Sequence, residues 1–379
     1  MVRHPSFAEA APTTGTRSAE QPASAMPTVV VPDSGGPTGS IGQFGSIRSA
    51  EITGPARVEI LTRPGPQGRP AAGELRVRML AVGICGTDLS LASGSRTPPE
   101  MPWRLGHEGV GEIAEVGPDV EGWAIGDRVA LEPNINCGQC EYCCRGMTSA
   151  CVSRLSAGVL TQPGFLAEVI DHPREFCHRL PPGIPVERAV CAEPLTVAAS
   201  AIRRTELQDT QRRDGEEVLV LGAGAQGLLA SLVLVSRGYR PWVSEPDAAR
   251  RRLAIELGAR EFVPGSSPAP TAVIDAAGVP AALAAVVDHL APFAKVTIVG
   301  EDQHHLGASS FDIVQHQLSI RGSFIYEHPQ DMTASVAMLQ ALPTESIVGP
   351  GLALDEVPEL LSAGTADRPG VKQWVDLRR

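Results

Sequence analysis

Three residue types that zinc accepts as ligands follow one another early in the chain, each close to glycine. Cys85 sits in Gly83-Ile84-Cys85-Gly86-Thr87-Asp88, and His107 and Glu108 follow Gly106. A catalytic zinc takes three protein ligands of this kind and keeps a fourth position for water or substrate. Neighbouring glycines let loop backbones bring such side chains onto one ion. Taken alone, Cys85 reads as a buried core cysteine, the usual state of a free thiol. A second set reverses that weighting. Cys137, Cys140, Cys143 and Cys151 share one short loop, the first three spaced C-x2-C-x2-C, and Cys144 is a spare whose use would break the spacing. Hydrophobic burial does not explain five cysteines in one loop. A closed four-thiolate zinc site does, and having no open position it is structural.

A third pattern points to a dinucleotide. An apolar run at 217–221 leads into Gly222-Ala223-Gly224-Ala225-Gln226-Gly227 and then an apolar helical stretch at 228–235. After a strand and opening a helix, G-x-G-x-x-G has a mechanism: Gly222 makes the turn, Gly224 admits the pyrophosphate, and Gly227 permits close helix packing. The helix N-terminus supplies amides and a positive dipole to the phosphates. A second strand at 242–244 ends in Glu245, placed where an acid would hold the ribose hydroxyls. That acid repels a 2′-phosphate, so NAD is preferred to NADP. Arg250, Arg251 and Arg252 work the other way, since a nearby arginine can receive the extra phosphate. Ala225, Gln226, Val299 and Phe324 complete the candidate cofactor-binding set.

The elements that must position these groups follow from length, composition and pattern. A chain of 379 residues with 43% hydrophobic content suggests two domains. A net charge of -11 and a pI near 5.4 argue against nucleic-acid and anionic-membrane partners. No apolar run is long enough to span a bilayer, and Val29-Val30-Val31 is too short for a signal-peptide core. The expected setting is therefore reducing and cytoplasmic, with the cysteines serving as metal ligands rather than in disulfides. Residues 1–45, rich in Ala, Pro, Ser, Thr and Gly, are expected to form a flexible extension. Residues 46–195 read as a β-rich domain of short strands and Gly/Pro turns, with strands at 47–60 and 74–80. Residues 196–335 read as a doubly wound parallel sheet with strands at 272–275 and 295–299, a helix at 280–290 and an edge strand at 318–326. Residues 336–379 are expected to return to the first domain through a helix at 354–361 and a strand at 373–377.

These residues together resemble the zinc-dependent medium-chain alcohol dehydrogenases, and within them the sorbitol and threonine dehydrogenase branch. The likeness runs from about residue 46 to the C-terminus. It rests on GICGTD at 83–88, GHEGVGEI at 106–113, GDRV at 126–129, the cysteine loop, AEPL at 192–195, GAGAQG at 222–227 and RGSF at 321–324. The resemblance implies a GroES-like catalytic domain joined to a Rossmann domain, two zinc ions per chain, and assembly as a homodimer or homotetramer through the sheet edge. Cys85, His107 and Glu108 match the catalytic zinc ligands, and Glu193 the acid that ligates zinc or holds its water. Thr87 matches the hydroxyl that bonds the substrate oxygen, and Cys137, Cys140, Cys143 and Cys151 match the structural zinc ligands. Two positions depart from the pattern. Ser90 stands where a proton-relaying histidine is common. A serine can pass a proton through water but cannot store one near neutral pH, and Thr87 and Ser90 are expected to lead the released proton outward. Ile325 stands where polyol dehydrogenases usually have a substrate-binding arginine.

The reading that follows is hydride transfer between NAD and a secondary alcohol of a sugar, cyclitol, amino sugar or similar small molecule. A smaller alcohol or threonine-type amino alcohol is the alternative substrate, and a catalytically silent dinucleotide sensor the alternative class. Other candidates take plainer readings. Cys177 and His178 are adjacent in an extended segment and should face apart. Cys191 reads as core packing, and His304, His305, His316 and His328 as surface residues. Trp103 either lines the pocket or packs beneath the His107 loop.

Overall fold

The computed structural model describes residues 44–207, 215–301, 303–364 and 369–379. Apart from Phe44 and Gly45, the extension expected at 1–45 lies outside them. The β-rich part is built on the strand Glu74–Ile84, which buries Leu75, Val77 and Met79 on one face and turns wholly apolar from Ala81 onward. Alternation at its start suits a half-buried strand, and the continuous run at its end a strand covered on both faces. The strand Glu108–Val116 pairs antiparallel with it, with Gly83 opposite Glu108. Cys85 lies just past the end of one strand and His107 just before the start of the other. This register therefore brings both residues to the same end of the sheet. Arg128–Leu131 and Cys177–Arg179 continue the sheet beyond Glu108–Val116, and Gln373–Asp376 and Val169–Pro173 also pair with the strand Glu74–Ile84. A smaller sheet joins Arg57–Pro64, Ser46–Gly54 and Trp103–Arg104.

The second large sheet is wholly parallel. Its strands lie in the order Arg260–Glu261, Trp242–Ser244, Val218–Leu221, Ala272–Asp275, Lys295–Ile298, Ser319–Gly322. The chain starts in the middle, moves to one edge, then returns to build the other half. That order reverses between Val218–Leu221 and Ala272–Asp275, the switch point outside which such sheets bind dinucleotides. The helix Ala225–Ser236, buried from Gly227 to Leu234, packs on this sheet and against the helix Ala192–Arg204 in one core.

Three elements differ from the sequence reading. The helix expected at 280–290 is the shorter Pro280–Ala284 followed by a 3-10 turn at Val287–His289. Val286 and Val287 are both buried, so tertiary packing of a β-branched pair overrides continued helix. The edge strand ends at Gly322, before Ile325, whose φ of 43° is incompatible with a strand. The helix near the C-terminus starts at Val357 rather than Leu354, because Pro358 fits only a first turn.

Candidate active site and metal centres

Cys85 caps the helix Gly86–Ala92, and Asp88 in its first turn is fully buried. The Asp88 carboxylate accepts hydrogen bonds from Cys85 N at 2.9 Å and from Gly106 N at 3.0 Å, and its Oδ1 lies 3.7 Å from His107 Nδ1. Burial alone would raise its pKa, but His107 and the two N–H donors hold it below the usual carboxylate range. One carboxylate thus locks the loops carrying Cys85 and His107, a role the sequence reading had not given it. The ligand atoms of Cys85, His107 and Glu108 all lie within 4.8 Å of one another. Gly83 is required for this approach, since a Cβ there would stand 2.0 Å from Glu108 Oε2. A sulfur, an imidazole and a buried carboxylate whose ligand atoms converge are a donor set that fits zinc.

Around this cluster the other candidates are placed unequally. Thr87 Oγ1 lies 3.9 Å from Cys85 Sγ. The Ser90 hydroxyl donates to Gly86 O at 2.9 Å, a bond within its own turn. Glu193, buried in the first turn of the helix Ala192–Arg204, is not a member of the cluster. Burial pushes its carboxyl up to about 7, against the pull of His107 and with Glu108 reinforcing it. Sequence reasoning missed Lys372 altogether. It is only 2% exposed, ion-paired with Glu108 and donating from Nζ to Ile84 O at 2.8 Å. Glu108 is thus shared between a buried ammonium and the ligand cluster.

The loop cysteines come together as a separate set. Sγ atoms of Cys137 and Cys151 are 3.5 Å apart, as are those of Cys140 and Cys143. Backbone N–H groups of Cys143 and Val152 help bring Cys140 down to about 6, while burial and neighbouring thiols push Cys143 up to about 12. Four thiols crowded so closely cannot all ionise without a cation among them, which is the chemistry of a tetrathiolate zinc site. Cys144 is exposed and stays outside the set.

At the nucleotide fold, Gly222 has a φ of 86°, and a Cβ on Gly227 would stand 2.0 Å from Gly222 O. A Cβ on Gly224, the cap of the helix Ala225–Ser236, would meet open space. Ala225 and Gln226 form the first turn, with Gln226 Oε1 buried and without a hydrogen-bond partner. Glu245 Oε2 accepts from Ala223 N at 2.7 Å, which ties the second strand to the glycine turn. Arg250 lies exposed in the first turn of the next helix, while Arg251 turns back to donate to Glu245 O. Val299 is half-buried just past the strand Lys295–Ile298, whereas Phe324 is exposed beneath the Arg154 guanidinium, 4.8 Å from its ring centroid. Ile325 keeps a positive φ that β-branched residues rarely adopt, so the backbone is strained there.

The remaining candidates sort as follows. Trp103 is buried and donates from Nε1 to Gly158 O at 3.0 Å, so it packs beneath the loop. Cys177 and Cys191 are buried thiols pushed up by that burial. His304 and His305 are exposed. His328 is a correction. Its side chain is only 16% exposed, and Nδ1 lies 2.8 Å from Glu132 Oε2. Polar neighbours in sequence suggested a surface residue, but its partner, Glu132, follows a strand remote in the chain.

Comparison with known proteins agrees with this architecture. Residues 71–182 match the family described as alcohol dehydrogenase GroES-like domain, and residues 225–341 the family described as zinc-binding dehydrogenase. A 2-dehydro-3-deoxy-L-galactonate 5-dehydrogenase from Pseudoalteromonas atlantica is 36% identical over 196 residues, covering 52% of this chain and 56% of that protein. The chain thus spans just over half the length of the curated relatives it matches. Two solved structures align over nearly their whole length, each with a TM-score of 0.78. One is described as a short chain alcohol dehydrogenase from Escherichia coli complexed with NADH, 27% identical and covering 88% of this chain and 100% of that one. The other is described as a putative zinc-binding dehydrogenase from Sinorhizobium meliloti bound to NADP, 26% identical and covering 87% of this chain and 99% of that one.

Proposed function

From the premise that the chain belongs to the zinc-type medium-chain alcohol dehydrogenase superfamily, we propose that it transfers a hydride between a secondary alcohol of a polyhydroxylated metabolite and NAD. The observation that carries this reading is the convergence of Cys85, His107 and Glu108 at one sheet end. In this reading those three residues hold a catalytic zinc, and the loop cysteines Cys137, Cys140, Cys143 and Cys151 hold a structural one. Zinc at the first site lowers the pKa of an alcohol and polarises a ketone.

The chain's own residues do the rest. Asp88 orients the loops bearing Cys85 and His107, and Thr87 Oγ1, beside Cys85 Sγ, accepts the substrate hydroxyl's proton in a hydrogen bond. Lys372 offsets the charge of Glu108. Glu193, held near neutrality in its pKa, can take up or release a proton at its carboxylate close to working pH. Ser90, its hydroxyl spent on Gly86 O, does not take the place of a relay histidine. Gly222 makes the turn, Gly224 admits the pyrophosphate and Gly227 lets the helix pack close, while Glu245 favours the unphosphorylated ribose of NAD. A sugar-acid dehydrogenase among the relatives supports a polyhydroxylated substrate. Subunits pair through the open edge of the nucleotide sheet.

The test is NADH formation by the purified, zinc-supplied protein across polyols, cyclitols, sugar acids and amino alcohols, with Glu193→Gln alongside. Turnover of a polyhydroxylated alcohol is expected, and the variant should lose about tenfold or more in kcat. NADH binding with no turnover of any alcohol or ketone would instead favour a dinucleotide sensor. Unchanged kinetics in the variant would remove Glu193 from the site.

A further inference from the structure

Glu132, His178 and His328 form a third cluster, sharing no residue with the two described above. Glu132 follows the strand Arg128–Leu131, His178 lies on Cys177–Arg179, and His328 precedes the helix Gln330–Met338. Two imidazoles converge on one carboxylate oxygen: Glu132 Oε2 lies 2.9 Å from His178 Nε2 and 2.8 Å from His328 Nδ1. Glu132 is 1% exposed and His178 8%.

The proton count at His178 makes this arrangement informative. The Thr333 hydroxyl has one proton and donates it to Pro329 O at 2.9 Å. Toward His178 Nδ1, 3.3 Å away, it can then only accept, which fixes the proton of a neutral ring on Nδ1. Nε2 is left with a lone pair facing a carboxylate oxygen. That contact is repulsive unless a positive charge lies between them, and the charge is either a second proton or a metal ion. Two nitrogens and a carboxylate oxygen drawn from three remote segments are a ligand set that zinc accepts, and Thr333 is the outer partner that fixes the tautomer of a metal-ligating histidine. The backbone of the third segment is also held. Glu327 accepts from Ser149 N and Oγ, both at 2.8 Å, and His328 N donates to Thr148 Oγ1 at 2.7 Å. His178 and Thr333 line an open cavity with Trp123, Arg179 and Val336, so one side of the cluster lies close to solvent.

We propose that Glu132, His178 and His328 bind a divalent zinc ion through Glu132 Oε2, His178 Nε2 and His328 Nδ1. The ion ties two strands of the β-rich sheet to the segment leading out of the nucleotide sheet. The site is separate from the Cys85 cluster, and it stands whether or not that cluster is catalytic. The test uses the full-length wild-type protein crystallised with a slight excess of zinc, with anomalous data collected on either side of the zinc absorption edge. The expected result is a peak about 2.1 Å from both histidine nitrogens. In solution, Glu132→Gln, which keeps the side-chain shape, should weaken zinc binding at this site about tenfold or more, and His178→Gln with His328→Gln should lower the metal count by one ion per chain. No anomalous peak between these atoms in the wild type would overturn the proposal and assign the charge to a proton. A metal count unchanged in folded variants would overturn it equally.

Discussion

Lys295 and Lys372 are the only lysines in the sequence, and the second is buried against Glu108. Arginine supplies every other cation, so a lysine here marks a place where a compact point charge on a slim stem fits and a planar guanidinium does not. Removing it strands a buried carboxylate. Lys372→Met is expected to cost about 3–5 kcal/mol in stability, measured by urea unfolding, since breaking a buried pair leaves an uncompensated charge. A loss within experimental error would show that Glu108 is neutralised by something else. The loose thiols give a second residue-scale expectation. Cys144 is exposed, whereas Cys177 and Cys191 are buried and Cys191 is pushed up to about 12 by that burial. In the native protein iodoacetamide should alkylate Cys144 and leave Cys177 and Cys191 unmodified, as read by peptide mass spectrometry. Equal labelling of Cys191 would mean that its core opens readily. The two groups of candidate ligands, Cys85, His107 and Glu108 and the four loop cysteines, were legible as groups because few residue types bind zinc and their spacing is restrictive. Lys372, Asp88 and His328 were not, since each acts through a partner far along the chain or through backbone groups that no periodicity announces.

At the scale of elements, the glycine turn after Val218–Leu221 separates two roles that one motif combines. Gly227 faces Gly222 O so closely that any Cβ must displace backbone, whereas Gly224 has open space on that side. Gly227→Ala is therefore expected to cost about 1–3 kcal/mol in folding stability through overpacking. Gly224→Ala should leave stability within about 0.5 kcal/mol while weakening NADH binding, because its added methyl projects where the pyrophosphate must approach. Paired thermal melts and fluorescence titrations with NADH check both, and equal effects of the two variants on both readouts would break the distinction. Strand starts, the glycine turn and the cysteine loop were readable because turn chemistry and period-two patterning are local. The break at Val286 and the end of the edge strand at Gly322 were not. Both follow from packing and from the strained backbone at Ile325, which a sequence window does not contain.

At the scale of the whole molecule, the two large sheets end differently. The C-terminal strand Gln373–Asp376 pairs with Glu74–Ile84 and so builds the last residues into the β-rich sheet. In the nucleotide sheet the Arg260–Glu261 edge is only two residues long, and Arg260 is engaged with Glu217. The opposite edge, Ser319–Gly322, is longer and largely exposed. Ser319 N and Ser323 N both donate inward, to Ala294 O and Ile298 O, so the alternation of a strand turns the N–H groups of Ile320 and Gly322 outward. An open edge with free donors pairs readily with a second copy, and antiparallel pairing about a two-fold axis satisfies both copies by the same contacts. We expect light scattering behind size exclusion to give a dimer or tetramer. Gly322→Pro removes an outward N–H, and a Cβ there meets nothing within 4 Å in the subunit. It should therefore shift the population toward monomer while leaving the monomer's unfolding midpoint unchanged. A variant that keeps the wild-type mass would move the interface to another surface, and a monomeric wild type would mean that the edge is left unpaired.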